Sequence, residues 1–173
     1  IILLKLMGAG TIHDGDKDIK GVGFLTLDTV KNMLYMTEFG RIWRVHLKKD
    51  DGGISGAHVI ANQTAEGIAV DSDRDRVYWV NNKAGSIQWI DGASSSVLGQ
   101  ASVETLLAEG ASYGTGLAAA FKIGHMFWAT QSPAIWRIHS EDGQNVTNPD
   151  TWQDKWAFGD FKNFAYGIAL DTK

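Results

Sequence analysis

The stretch Gly67-Ile68-Ala69-Val70-Asp71-Ser72-Asp73-Arg74-Asp75-Arg76-Val77-Tyr78-Trp79-Val80-Asn81 decides the fold. A small residue leads an apolar run that ends in aspartate. Polar residues follow, and then an aromatic run. Short β-rich runs bounded by Gly, Asp, Asn and Ser read as strands, so this stretch is two strands joined by a turn. The opening pattern recurs as Gly23-Phe24-Leu25-Thr26-Leu27-Asp28, Gly116-Leu117-Ala118-Ala119-Ala120 and Gly167-Ile168-Ala169-Leu170-Asp171. From Asp28 to Asp71, Ala120 and Asp171 the steps are 43, 49 and 51 residues.

Aromatic or Met-rich second strands follow the first three copies: Met33-Leu34-Tyr35-Met36-Thr37, Val77-Tyr78-Trp79-Val80 and Met126-Phe127-Trp128-Ala129. Third strands come after a short turn: Ile42-Trp43-Arg44-Val45, Ile87-Gln88-Trp89-Ile90 and Ile135-Trp136-Arg137-Ile138. Fourth strands read as His58-Val59-Ile60-Ala61, Val103-Glu104-Thr105-Leu106-Leu107 and Lys155-Trp156-Ala157-Phe158. Four strands at a period of roughly 40 to 50 residues are the unit of a β-propeller blade. The prediction is an all-β chain, one propeller-like domain over residues 1–173, with blades starting near residues 21, 66 and 114. Two orphan strands complete it, an outer one at Ile1-Ile2-Leu3-Leu4-Lys5-Leu6-Met7 and an inner one in a partial blade at residues 163–173. The small residues Ala69, Ala118, Ala119 and Ala169 suit inner strands crowded around a channel. Second and third strands that are apolar on both faces suit a blade sandwiched between neighbours.

Tyr78-Trp79-Val80-Asn81, preceded by Gly67-Ile68-Ala69-Val70-Asp71, resembles a YWTD repeat, the blade of low-density-lipoprotein-receptor-type propellers. Tyr35-Met36-Thr37-Glu38 and Phe127-Trp128-Ala129-Thr130 are degenerate copies of the same motif. The resemblance covers nearly the whole chain and implies an extracellular ligand-binding propeller. Three blades are fewer than the roughly four to eight that make a ring. Either several chains complete one, as in short propeller lectins, or the chain is a piece of a longer one. Apolar blade faces left open favour association, and a homo-oligomer, first of all a dimer, is expected.

Composition narrows the function classes. With 44% hydrophobic and 21% charged residues, the 173-residue chain has the make-up of a globular protein. A net charge of −4, with Lys48-Lys49 answered at once by Asp50-Asp51, argues against nucleic acid as a partner. No apolar run is long enough to insert as a membrane-spanning helix. Cysteine is absent, which excludes thiol catalysis, disulfides and Cys-based zinc sites. The sequons Asn62-Gln63-Thr64 and Asn145-Val146-Thr147 make Asn62 and Asn145 candidate glycosylation sites and lean the chain toward secretion.

No nucleophile elbow, H-E-x-x-H or P-loop is present. No cofactor and no catalytic residue is assigned, and no metal ligand set. His46 and His139 recur at the end of the third strand and read as solvated strand ends. Calcium-dependent lactonases, which are also propellers, hold a metal at the channel mouth. Glu66 is placed for such a role, but its counterparts Thr115 and Tyr166 are weak calcium ligands. Asp28, Asp71 and Asp171 read as turn formers at strand ends.

Binding residues come from seven tryptophans. Trp79 and Trp128 read as core. Trp43 and Trp136 share one repeat position, and Trp89 is offset by one. Each follows a turn that supplies polar groups: Glu38 and Arg41, Asn81 and Asn82, and Gln131. An indole beside carboxylate, amide or guanidinium groups suits a sugar, stacking on its C–H face while the polar groups bond its hydroxyls. Packing of the same indoles between blades is the competing reading. The leading functional expectation is a non-enzymatic lectin for glycans or glycoproteins, taking an N-acetylhexosamine. The alternative is an extracellular protein-binding propeller module, and a metal-dependent hydrolase comes third.

Overall fold

The computed structural model describes residues 12–14, 17–19, 21–48, 53–95, 102–108, 110–112, 114–130, 135–140 and 168. Its strands are β1 (Ile12–Asp14), β2 (Lys17–Ile19), β3 (Leu25–Asp28), β4 (Met33–Glu38), β5 (Arg41–Leu47), β6 (Ile54–Ala61) and β7 (Glu66–Asp71). They continue with β8 (Arg76–Asn81), β9 (Ser86–Asp91), β10 (Val103–Leu107), β11 (Gly114–Ala120), β12 (His125–Thr130) and β13 (Ile135–His139). Strands β3-β4-β5-β6 and β7-β8-β9-β10 form two antiparallel four-stranded meanders, and β11-β12-β13 a third sheet of three described strands. These are the three predicted blades, with inner strands β3, β7 and β11. The predicted strands at residues 1–7 and 155–158 and, residue 168 apart, the partial blade at 163–173 lie outside the described residues. One element was not anticipated: β1 and β2 pair as a separate hairpin.

Strand alternation builds the packing. Successive side chains point to opposite faces of a sheet, so Tyr35 faces one way and Leu34 and Met36 the other. Tyr35 and Ile42 of the first blade pack with Ile68, Val77, Trp79 and Ile90 of the second. The opposite face of the second blade, with Tyr78, Val80, Ile87 and Trp89, packs with Leu117, Met126, Trp128 and Ile138 of the third. The far side of the first blade holds Leu34, Met36, Trp43 and Val45 against Ile19 of the hairpin. The first and second sheets are therefore apolar on both sides because each fills two interfaces, as the sequence pattern predicts.

The turns carry their own chemistry. Asp28 Oδ1 accepts hydrogen bonds from the backbone N–H groups of Val30 and Lys31 at 2.9 and 3.0 Å. Asp71 Oδ1 does the same for Asp73 and Arg74 at 3.1 and 3.2 Å. These aspartates are the predicted turn formers. The residue before each second strand, Asn32, Asp75 and Gly124, lies in the left-handed region, which Asn, Asp and Gly tolerate best.

The small residue that opens each inner strand has a measurable reason at Gly67. Its φ is +71°, and an added Cβ would fall 2.6 Å from the Leu117 nitrogen and 2.7 Å from the Gly116 carbonyl carbon. Neighbouring inner strands run that close together. A polar clamp secures the joint between the first two blades. Lys31 Nζ lies 2.6 Å from Asp75 Oδ1. Asp75 also accepts from the Ser94 N–H and hydroxyl at 3.0 and 2.9 Å. The buried Arg44 guanidinium reaches across to donate to the carbonyls of Ala93, at 3.1 Å, and Ser95.

Candidate functional site

In an antiparallel meander, successive turns alternate between the two ends of the strands. The β4–β5 and β8–β9 turns therefore share an end with the connections from β6 to β7 and from β10 to β11. This end gathers Glu38, Phe39, Arg41, Glu66, Asn81 and Asn82. It is the end where the predicted turn-plus-tryptophan units lie.

The first unit is joined within itself. Trp43 Nε1 donates to Glu38 Oε2 at 2.7 Å, and Arg41 Nη1 stands 4.0 Å from the same oxygen. The Trp43 indole is only 8% exposed and belongs to the core cluster that includes Ile19. Arg41 is exposed.

The second unit is an internal polar network. Asn81 is buried. Its amide donates to Gln88 Oε1 at 3.0 Å and to Gln63 Oε1 at 3.4 Å, while its oxygen accepts the Ala84 N–H at 3.0 Å. Gln88 Oε1 also accepts from the Trp79 indole at 3.2 Å. Asn82 Nδ2 donates to Glu66 Oε1 at 3.3 Å, so Glu66 braces the β8–β9 turn. Asn62, the first sequon residue, is exposed on the β6–β7 connection.

The ladder registers explain where the three indoles go. Trp43 pairs with Met36, Trp89 with Tyr78 and Trp136 with Trp128. The one-residue offset of Trp89 turns it to the opposite face of its sheet. Gln88 takes the position that Trp43 and Trp136 occupy in their blades. Trp89 therefore lies between the second and third blades, 8% exposed, with the Arg76 guanidinium 4.1 Å from its ring centroid. Trp136 packs against the same cluster, stacked on Trp128 with centroids 6.2 Å apart and planes at 16°. The fold thus brings Trp89 and Trp136 to one interface and leaves Trp43 at another. Gln131 and the second sequon residue, Asn145, lie outside the described residues.

Among the described residues, the large apolar side chain most open at this end is one the residue pattern passed over. Phe39, at the tip of the β4–β5 turn, is 90% exposed. The signal was an aromatic residue in a two-residue hairpin turn, Phe39-Gly40, where polar residues are usual. Its ring lies over Gly21, where an added Cβ would come within 2.9 Å of Phe39 Cε2. At the opposite end, Val30 and Ile123 are the exposed apolar residues, each in a turn that follows an inner strand.

No group of three or more His, Asp or Glu side chains among the described residues is arranged to hold a metal ion. No helix among them is long and apolar enough to cross a membrane.

No protein-family model and no curated protein matches the sequence. Solved structures do match its fold. A chain from a nidogen/laminin complex superposes with a TM-score of 0.64 at 19% identity, over 90% of this chain and 56% of that one. Hydrazine synthase from Kuenenia stuttgartiensis superposes with a TM-score of 0.52 at 16% identity, over 76% of this chain and 35% of that one. At such identities the likeness is one of fold. The present chain spans little more than half the length of the nidogen/laminin chain.

Proposed function

We propose that this chain is an extracellular protein-binding propeller module that uses the end carrying the β4–β5 turn. The carrying observation is Phe39, a large aromatic side chain 90% exposed on a tight turn. The turn is anchored by the 2.7 Å bond from Trp43 to Glu38. Binding energy concentrates in a few aromatic and arginine anchors held on rigid supports. Here Phe39 is flanked by exposed Arg41 and backed by a well-packed blade. An aromatic ring already ordered by a two-residue turn loses little conformational freedom on docking.

The lectin reading asks more of the fold. Trp43 and Trp89 are each 8% exposed, and Asn81 is buried with its amide engaged. Stacking a sugar on those indoles would require separating packed faces. The fold likeness to a chain from a complex of two proteins, nidogen and laminin, agrees with a protein partner. It also supports an extracellular setting. A non-enzymatic role is part of the proposal.

The test is a paired surface-binding measurement on immobilised chain, using purified laminin and other extracellular proteins in one arm and a glycan array in the other. A protein ligand whose affinity falls at least about tenfold in Phe39→Ser, and is unchanged in Val30→Ser, supports the proposal. Equal loss in both variants, or loss only in Val30→Ser, moves the site to other surfaces. Array binding abolished by free sugar and indifferent to Phe39→Ser restores the lectin reading.

A further inference from the structure

We infer that His125 and His139 form a two-point chelate for a borderline divalent transition-metal ion, on the opposite end of the third blade. The ladder supplies the geometry. His125 opens β12, His139 closes β13, and the two are directly paired across the sheet. Their ring centroids are 5.2 Å apart and their planes are inclined at 61°. Imidazole nitrogens bind zinc-like ions at about 2.0–2.1 Å, so two rings sharing one ion have centroids about 5 Å apart. The observed centroid spacing lies within that reach, with the two rings meeting edge to face.

The same ladder position in the other blades shows that this rim pair is a place where side chains meet. In the second blade it is Arg76 and Asp91, joined by an ion pair of 2.5 Å. In the first blade it is Met33 and His46. Of the three described blades, only the third places an imidazole on both strands. His139 is exposed and His125 half-buried, so an ion can enter from solvent. His125 packs edge-on to Phe127, with centroids 6.2 Å apart, which limits its rotation.

Among the described residues the two imidazoles have no third ligand beside them, so solvent completes the shell there. Such a site favours copper over nickel and zinc by the usual affinity order for nitrogen donors. It is distinct from the oxygen-rich sites that hold calcium. Metal binding needs both rings neutral. Lys122, in the turn leading into β12, and Glu141 and Asp142, which follow His139 in the sequence, are further charged residues close by in the chain.

Copper(II) titration followed by calorimetry and electron paramagnetic resonance tests the inference on the whole chain. The wild type should bind one equivalent with hyperfine splitting from two nitrogens. His139→Gln, a change at an exposed position, should weaken that site about tenfold or more through loss of the chelate. His125→Gln should match it. His46→Gln should leave the site intact. If His139→Gln keeps wild-type affinity and spectrum, or if the wild type binds no copper below millimolar concentration, the inference is overturned. Should His125→Gln fail to fold, the His139→Gln result decides alone.

Discussion

Replacing Gly67 by alanine tests how closely the blades are pressed together. Two costs add at this position. With φ at +71°, an L-residue carries the left-handed penalty of about 1–2 kcal/mol. The new methyl would also stand 2.6 Å from the Leu117 nitrogen, 2.7 Å from the Gly116 carbonyl carbon and 2.9 Å from the Gly116 Cα. These are backbone atoms of the adjoining inner strand and cannot rotate away. Overpacking of that kind costs a further 1–3 kcal/mol or so. The sum is about 2–5 kcal/mol, and a chain of this size then loses about 4–20 °C in Tm. Gly40→Ala is the matched control. Its φ is +70°, but nothing lies within 4 Å of the new methyl, so it should cost only the backbone part, about 1–2 kcal/mol. Urea denaturation of both variants, with unchanged m-values, measures the difference. Equal destabilisation of the two, within about 0.5 kcal/mol, would refute the close approach of β7 and β11.

Trp43→Ala should lower stability by about 3–5 kcal/mol, the range for deleting a buried aromatic side chain, because the indole fills a core cluster. An unchanged denaturation midpoint would mean the residue is a surface platform after all. Tyr35→Phe should be neutral or mildly stabilising at pH 7, since the buried Tyr35 hydroxyl has no hydrogen-bond partner among the described residues. Burial raises the Tyr35 pKa, Asp75 and Asp28 add to the rise, and Arg44 opposes it. The folded state therefore prefers the protonated phenol. That preference is fully present below the unfolded value of about 10 and is lost as pH climbs above it. Melting curves from pH 8 to 11 should fall less steeply in Tyr35→Phe than in wild type. Tyr78, whose pKa burial also raises, leaves a residual slope. Identical slopes would count against the buried phenol.

The blades were legible in the sequence because a strand's alternation and its turn chemistry are local properties. Val77-Tyr78-Trp79-Val80 reads as apolar on both faces, and in the structure Trp79 meets the first blade while Tyr78 meets the third. Asp28 and Asp71 cap their own turns with bonds spanning two or three residues, so no distant partner is needed to foresee them. The candidate site was less legible. Tryptophan beside Glu, Asn and Gln reads the same whether the indole is a platform for ligand or a brick between sheets. Neighbouring sheets decided it, enclosing Trp43 and Trp89, and the network from Gln63 to Gln88 drew Asn81 inward. The β1–β2 hairpin was missed because Ile12-His13-Asp14 and Lys17-Asp18-Ile19 are too short and polar to show a period. Sequence alone therefore determined the number, order and turns of the described blades, which depend on residues a few places apart. Only the tertiary structure decided that Phe39 stands open and that His125 faces His139, because exposure and cross-strand pairing depend on what lies beside a residue in space.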